Sequence, residues 1–352
     1  MIKIGLIGCG GMASFYRKIY TEIPDATLDF VVDVNEETAK SVAEELGVKN
    51  YSTDFNDCVN SDVDVIDIST PNHLHKEQFA AAVKTGKHIL LQKPISGSIE
   101  DAVEILRLSQ STDKKCGVFM SRYCVKAYHV IKDMLKLGVI GNVSSVYART
   151  SYVYRPKPDA PLWRASKELT GGGSLIQLGV HDYDMLEWIL DAEITHISAF
   201  SENLMSPHVG GDDTTHSIVK FSNGILGTVE SSYCTKEASL KILGNKGSIS
   251  YVNGTLTVSG ECYEGFGIMY DTPKKAATYS LPYSNETLFN TSNPYEQHVA
   301  FINSILNDTP VPVPISSGFN SLAIVKAAYE SAEKGQTVCV EEYKNRFLRG
   351  EL

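Results

Sequence analysis

The first thirteen residues constrain this chain more than any other stretch. Ile2-Lys3-Ile4-Gly5-Leu6-Ile7 is an apolar run of strand length, and it leads directly into Gly8-Cys9-Gly10-Gly11-Met12-Ala13, which fits the spacing G-x-G-x-x-A. The run predicts a buried strand, and the glycines predict a tight turn into a helix. In such a turn Gly8 permits the bend, Gly10 lets backbone approach a pyrophosphate, and the small Ala13 lets helix and strand pack closely. Gly11 and Met12 then open the helix, whose free N–H groups and positive dipole end suit a phosphate. Taken alone, the glycine spacing marks no more than a turn. Its place between strand and helix is what points to a dinucleotide.

The residues that follow keep alternating. Leu28–Val34, Val63–Ile68, His88–Leu91 and Lys115–Met120 read as buried strands; Met12–Glu22, Glu36–Leu46, His73–Thr85 and Ile99–Ser109 carry helical spacing. Strand–helix alternation implies βαβ crossovers and a parallel sheet covered on both faces, an α/β Rossmann-type domain over residues 1–121. The second strand ends at Asp33. A carboxylate there accepts both ribose hydroxyls of NAD and repels the 2′-phosphate of NADP, and neither Val34 nor Asn35 brings a cation, so NAD is expected over NADP. The other reading of Asp33 is an N-cap for the helix at Glu36.

Residues 122–352 read differently, as an α+β domain with an open, mainly antiparallel sheet. A helix near Ala127–Leu137 and a strand near Val143–Tyr154 precede a loop, Arg155–Leu169, with three prolines. The run Gly171-Gly172-Gly173 opens a helical stretch to Leu190. Short strands with turns such as Ser222-Asn223-Gly224 fill Ile194 to about Thr257. Two helices, near Pro294–Asn307 and Gly318–Lys334, close the pattern. With 43% hydrophobic and 21% charged residues the chain is globular in composition, and its net charge of −10 disfavours nucleic acid and anionic membranes. No run reaches the ~18 apolar residues of a membrane span, and the opening run is too short for a signal sequence. Seven cysteines without a Cys-x-x-Cys pair suggest reduced thiols and a cytoplasmic protein.

Three further motifs make the sequence resemble the Gfo/Idh/MocA family of oxidoreductases: Ser69-Thr70-Pro71-Asn72-His73-Leu74-His75, then Gln92-Lys93-Pro94, then Gly171 through Asp184, with the ending Ala327-Ala328-Tyr329-Glu330-Ser331-Ala332. The resemblance spans essentially the whole chain. It implies a sugar or polyol substrate and NAD as cofactor, with Thr70, Pro71, Asn72, His75, Gln92 and Lys93 at the cofactor. It also implies Lys93 and His181 as the catalytic pair, Arg122 and Tyr123 where the family lines its substrate site, and a homodimer or homotetramer. The chemistry is coherent: an imidazole moves the hydroxyl proton, and an ammonium holds the oxygen from which it leaves.

The sequence departs from the family pattern twice. Gln177 stands where many members have aspartate, four residues before His181 and so on the same helical side; Gln92 replaces the usual glutamate beside Lys93. Both changes remove negative charge. They keep two alternatives open beside a dehydrogenase of secondary hydroxyls: a glycoside-cleaving enzyme that oxidises its sugar only transiently, and a non-catalytic nucleotide-binding regulator. Arg155, Lys157, Arg164 and Lys167 form a cationic loop, in which Trp163 suits a pyranose face and Arg164 a carboxylate or phosphate. His73-x-His75 has a ligand-like spacing, but no metal is expected.

Overall fold

The computed structural model describes residues 1–155, 162–260, 277–279 and 294–350. By contact the chain divides into Met1–Ser121 with Asn293–Leu322, and Arg122–Ser292 with Ala323–Leu352. The sequence reading places all of 122–352 in one domain, with the break at 121/122. The assignment of Asn293–Leu322 differs, because that segment packs with the first unit.

In the first unit the strands are β1 (Ile2–Ile7), β2 (Ala26–Val32), β3 (Asn50–Ser52), β4 (Val65–Ile68), β5 (His88–Gln92) and β6 (Cys116–Phe119). They form one parallel sheet in the order β3-β2-β1-β4-β5-β6. The helices are α1 (Gly11–Tyr16, continued by a 3-10 turn), α2 (Glu36–Leu46), α3 (Phe55–Val59), α4 (His75–Lys84) and α5 (Ile99–Gln110). Strand order reverses between β1 and β4, so the loops leaving their carboxyl ends diverge and open a crevice, the place where open α/β sheets bind ligands. The sheet interior is Ile4, Leu6, Val31, Val65 and Leu90. Edge strand β3 escaped the sequence reading because Asn50-Tyr51-Ser52 is short, polar and largely exposed.

Helix α9 (Pro294–Leu306) joins this unit through Phe301 and Ile302, which lie in the same core. A side chain at Gly117 would press on the Phe301 ring at 3.1 Å. Gln297 then fastens the β6 edge, accepting from Met120 N (3.2 Å) and donating to Val118 O (2.8 Å). Residues that read as a C-terminal helix of the second domain thus pack as part of the first.

The second unit contains α6 (Lys126–Lys136), β7 (Val143–Ser151), the short α7 (Lys167–Thr170), a π-helical turn Leu175–Gly179 and α8 (Val180–Leu190). Strands β8 (Ile194–Glu202), β9 (Thr214–Phe221), β10 (Leu226–Ser232), β11 (Glu237–Gly244), β12 (Gly247–Val252), β13 (Thr255–Gly260) and β14 (Ala277–Tyr279) follow. Helix α10 spans Ile315–Lys334, and β15 (Val338–Cys339) with α11 (Val340–Leu348) comes after it. The sequence reading stopped at Lys334 and missed α11, which buries Val340 and Tyr343. The nine-stranded sheet runs β14-β13-β12-β11-β7-β10-β9-β8-β15, antiparallel except for β7 beside β10. The sheet is mainly antiparallel, as expected, with one parallel pair. The turn Leu175–Gly179 and α8 lie against β10 and β7, and on the other face of the sheet Tyr147 of β7, Leu226 of β10, Ile218 of β9 and Phe200 of β8 are exposed.

Candidate active site

The turn after β1 is built as its spacing requires. Gly8 has φ +94°, and a Cβ there would meet the Ser69–Thr70 backbone at 2.8–2.9 Å. At Gly10 and Gly11 a Cβ would meet nothing within 4 Å, so bare backbone faces open space. Ala13 is fully buried against the sheet, and Met12 is half-buried. The Asp33 carboxylate accepts from Cys9 N and Asn35 N, both at 3.0 Å. The cap of α2 is Asn35, whose Oδ1 accepts from Thr38 N at 2.8 Å; Asp33 is left for another task. Arg17, the cation that reaches this turn, is engaged by Cys9 O (3.2 Å) and Glu45 (2.6 Å). A cradle of bare glycine backbone with a fixed carboxylate beside it fits a dinucleotide.

The loops after β4 and β5 are tied from within. Thr70 Oγ1 donates to Gln78 Oε1 (2.6 Å), and Pro71 leads into a 3-10 turn holding the buried Asn72. His75 differs from the expectation. It is 1% exposed, with its ring nitrogens 2.9 Å from Thr70 O and 3.1 Å from Ile95 O. Burial pushes its pKa down to about 4. It therefore braces the Thr70 and Ile95 loops and cannot present its ring to a cofactor. Gln92 is also buried, and its Oε1 accepts from Lys93 N at 3.1 Å. Lys93 is half-buried at the end of β5.

In the second unit Arg164 and Gln177 come together, lining one pocket with Tyr154, Thr170, Gly172, Gly173, Val209 and Tyr233. Tyr152, Tyr154 and Tyr233 form a mutual cluster with centroids 5.1–6.2 Å apart. These tyrosines escaped the sequence reading, although Tyr152-x-Tyr154 at a strand end was the available signal. Arg164 lies over the Trp163 ring at 5.0 Å and has no carboxylate partner among the described residues. Lys157 of the cationic loop lies outside them.

Gln177 sits in the π-helical turn rather than in regular α-helix, and His181 is the second residue of α8 and half-buried. Arg122 is engaged by side chains of its own unit. Its guanidinium reaches Thr150 Oγ1 (2.6 Å), Tyr128 OH (3.2 Å) and Asp182 Oδ1 (3.4 Å), so it neutralises a buried carboxylate. Burial still raises the Asp182 carboxyl above its usual range, against the pull of Arg122 and Thr150. Tyr123 packs on Trp188 with centroids 4.8 Å apart. Burial likewise pushes Asp184 up to about 7. The described residues hold no His/Cys/Asp/Glu cluster able to bind a metal.

Comparison with known proteins agrees with this architecture. Scyllo-inositol 2-dehydrogenase (NAD(+)) of Bacillus subtilis is 26% identical over 347 residues, covering 91% of this chain and 99% of its own. The 2,7-anhydro-N-acetylneuraminate hydratase of Escherichia coli is 28% identical over 275 residues, covering 74% and 71%. A levoglucosan dehydrogenase solved with NADH and levoglucosan shares the fold, with a TM-score of 0.85 at 23% identity and coverage of 96% of this chain and 99% of that chain. Residues 2–120 match the family model described as oxidoreductase family, NAD-binding Rossmann fold, and residues 132–340 match its C-terminal alpha/beta domain. The chain belongs to the Gfo/Idh/MocA family of oxidoreductases and carries that family's NAD-binding Rossmann domain.

Proposed function

We propose that this protein oxidises a secondary hydroxyl of a sugar, sugar acid or polyol, or reduces the corresponding ketone. NAD, when bound, supplies the hydride acceptor. The chain's residues do the rest: Asp33 holds the adenosine ribose and the Gly8–Ala13 turn receives the pyrophosphate. His181 takes the hydroxyl proton as general base, and the Lys93 ammonium steadies the oxygen as charge develops on it. Gln177 orients the sugar by hydrogen bonding, and Arg164 meets an anionic substituent. Residues 1–121 form the NAD domain in this reading, and 122–352 supply the substrate and oligomer surfaces. The observation that carries it is the open glycine cradle beside an Asp33 that caps no helix. A homodimer or homotetramer through the exposed sheet face fits Phe200 (81% exposed) and Ile218 (63%). Free thiols at Cys9, Cys58, Cys116 and Cys124 fit the cytoplasm.

The test is NADH formation from a panel of scyllo-inositol, levoglucosan, D-glucose, D-glucuronate and glucose 6-phosphate. A redox-neutral reaction is the second reading, favoured by the relative named a hydratase; it would consume substrate without net NADH. Asp33→Ser with Val34→Arg should shift preference toward NADP, read from NADH and NADPH titrations. Equal affinity of the native protein for both would remove Asp33 from the ribose. Arg164→Ala should raise KM for glucuronate or glucose 6-phosphate by about tenfold, the order of one charge-assisted contact, and leave KM for glucose nearly unchanged. Equal changes in both would make the loop a neutral wall.

A further inference from the structure

The stretch that carries Gln177 and His181 starts inside the protein, where water cannot satisfy the first N–H groups of a helix. All four are nevertheless bonded, and by only two residues. Gly173 N donates to Asp212 Oδ1 (2.8 Å), Ser174 N to Asp212 O (2.7 Å), Leu175 N to Asp212 Oδ2 (2.9 Å) and Ile176 N to Tyr329 OH (3.3 Å). The two partners are themselves joined, Tyr329 OH donating to Asp212 Oδ1 at 2.6 Å. Ser174 Oγ and Thr215 Oγ1 add bonds to Asp212 Oδ2 at 2.7 and 3.0 Å.

The glycines exist for this joint. A Cβ at Gly173 would overlap the Asp212 backbone, one at Gly172 the Tyr329 hydroxyl, and one at Gly211 the Gly173 nitrogen. The far side is equally fixed. Asp213 accepts from Leu204, Met205 and Ser206 N at 2.6–2.9 Å, and Asn203 Nδ2 holds three carbonyls of the same loop. Gln177 is the first residue beyond the joint, its N–H reaching Gly173 O at 3.4 Å. Any displacement of the joint passes directly to the Gln177 side chain and, one turn on, to His181.

We propose that Asp212 and Tyr329 are positioning residues for the reaction, a buried two-residue clamp that sets where Gln177 and His181 stand. The proposal rests on the functional reading above, in which those two side chains meet the substrate. It also accounts for the anion-binding end of this helix: Asp212 already occupies it, so an anionic sugar is left to Arg164.

Tyr329→Phe keeps the ring and removes the hydroxyl that joins Asp212 to Ile176. With the most active member of the panel, kcat should fall by about tenfold, within the range that small misplacements of reacting groups produce. The Kd for NADH should stay within twofold. Amide exchange of the 173–181 segment should quicken while the remainder of the chain keeps its protection. Asp212→Asn should do the same more strongly; if it fails to fold, Tyr329→Phe and its exchange pattern suffice. Native kcat in Tyr329→Phe while His181→Ala is inactive would overturn the clamp and leave the functional reading standing. A kcat loss equal to a loss of folded protein would also overturn it. Full activity in His181→Ala would instead sink the functional reading.

Discussion

His181→Ala should lower kcat by about 10²–10⁴-fold, the usual cost of removing a general acid–base group. NADH affinity should be nearly unchanged, because the cofactor-binding turn and Asp33 belong to the first unit. Neighbouring carboxyls are poor substitutes. Asp182 is buried, accepts from Thr150 at 2.8 Å and is paired with Arg122. Asp184, three residues beyond His181, is buried and pushed up to about 7, so it is largely protonated in mildly acid solution and becomes a base only as pH rises. Residual turnover in the variant that grows above pH about 7 would therefore mark Asp184 as the stand-in. The measurement is steady-state kinetics on the panel across pH, with NADH binding followed by fluorescence. A variant that retains most of its turnover would move the base elsewhere.

The sequence made the first unit legible because its signals are local. A buried parallel strand is a continuous apolar run, and the turn after β1 needs specific residues at specific offsets. Even there, whether Asp33 caps the helix at Glu36 was decided only by seeing that the oxygen meeting Thr38 N belongs to Asn35. The second unit hides its logic in long-range partners. Gly171-Gly172-Gly173 is conspicuous as text, yet its reason lies 39 residues downstream at Asp212 and on Tyr329 of α10. Arg122 was placed at the substrate site by resemblance alone, and its partners Thr150 and Asp182 are 28 and 60 residues away in the sequence. His75 was misplaced for the same cause: a histidine beside a cofactor motif reads as a contact, and only burial shows that its ring braces two loops from behind. Helix α9 changed units because the face that buries Phe301 and Gln297 matches the edge of β6, which periodicity cannot disclose.

The glycine turn allows fold and binding to be separated by one methyl group placed at either of two sites. Gly8→Ala meets two penalties together: a φ of +94° that L-residues rarely adopt, and a Cβ 2.8 Å from the Ser69 backbone. Neither neighbour is a flexible side-chain tip, so β1 and β4 must part at the ends where the crevice opens. A loss of about 2–4 kcal/mol is expected from strain plus displaced backbone, which for a domain of this size lowers Tm by roughly 5–15 °C. NADH affinity should fall by on the order of 100-fold as the turn shifts off the pyrophosphate. Gly10→Ala should behave otherwise. Gly10 has φ −70°, which alanine accepts, and its Cβ would meet nothing within 4 Å. Tm should therefore stay within about 1–2 °C, the scale of an ordinary surface substitution, while NADH affinity still drops by tenfold or more because the methyl occupies the space left for phosphate. Thermal melts and NADH titrations of the two variants decide it. Should Gly10→Ala bind NADH as the native protein does, the open space before Gly10 is not where the pyrophosphate lies, and the cradle must be sought nearer Gly11 and the start of α1.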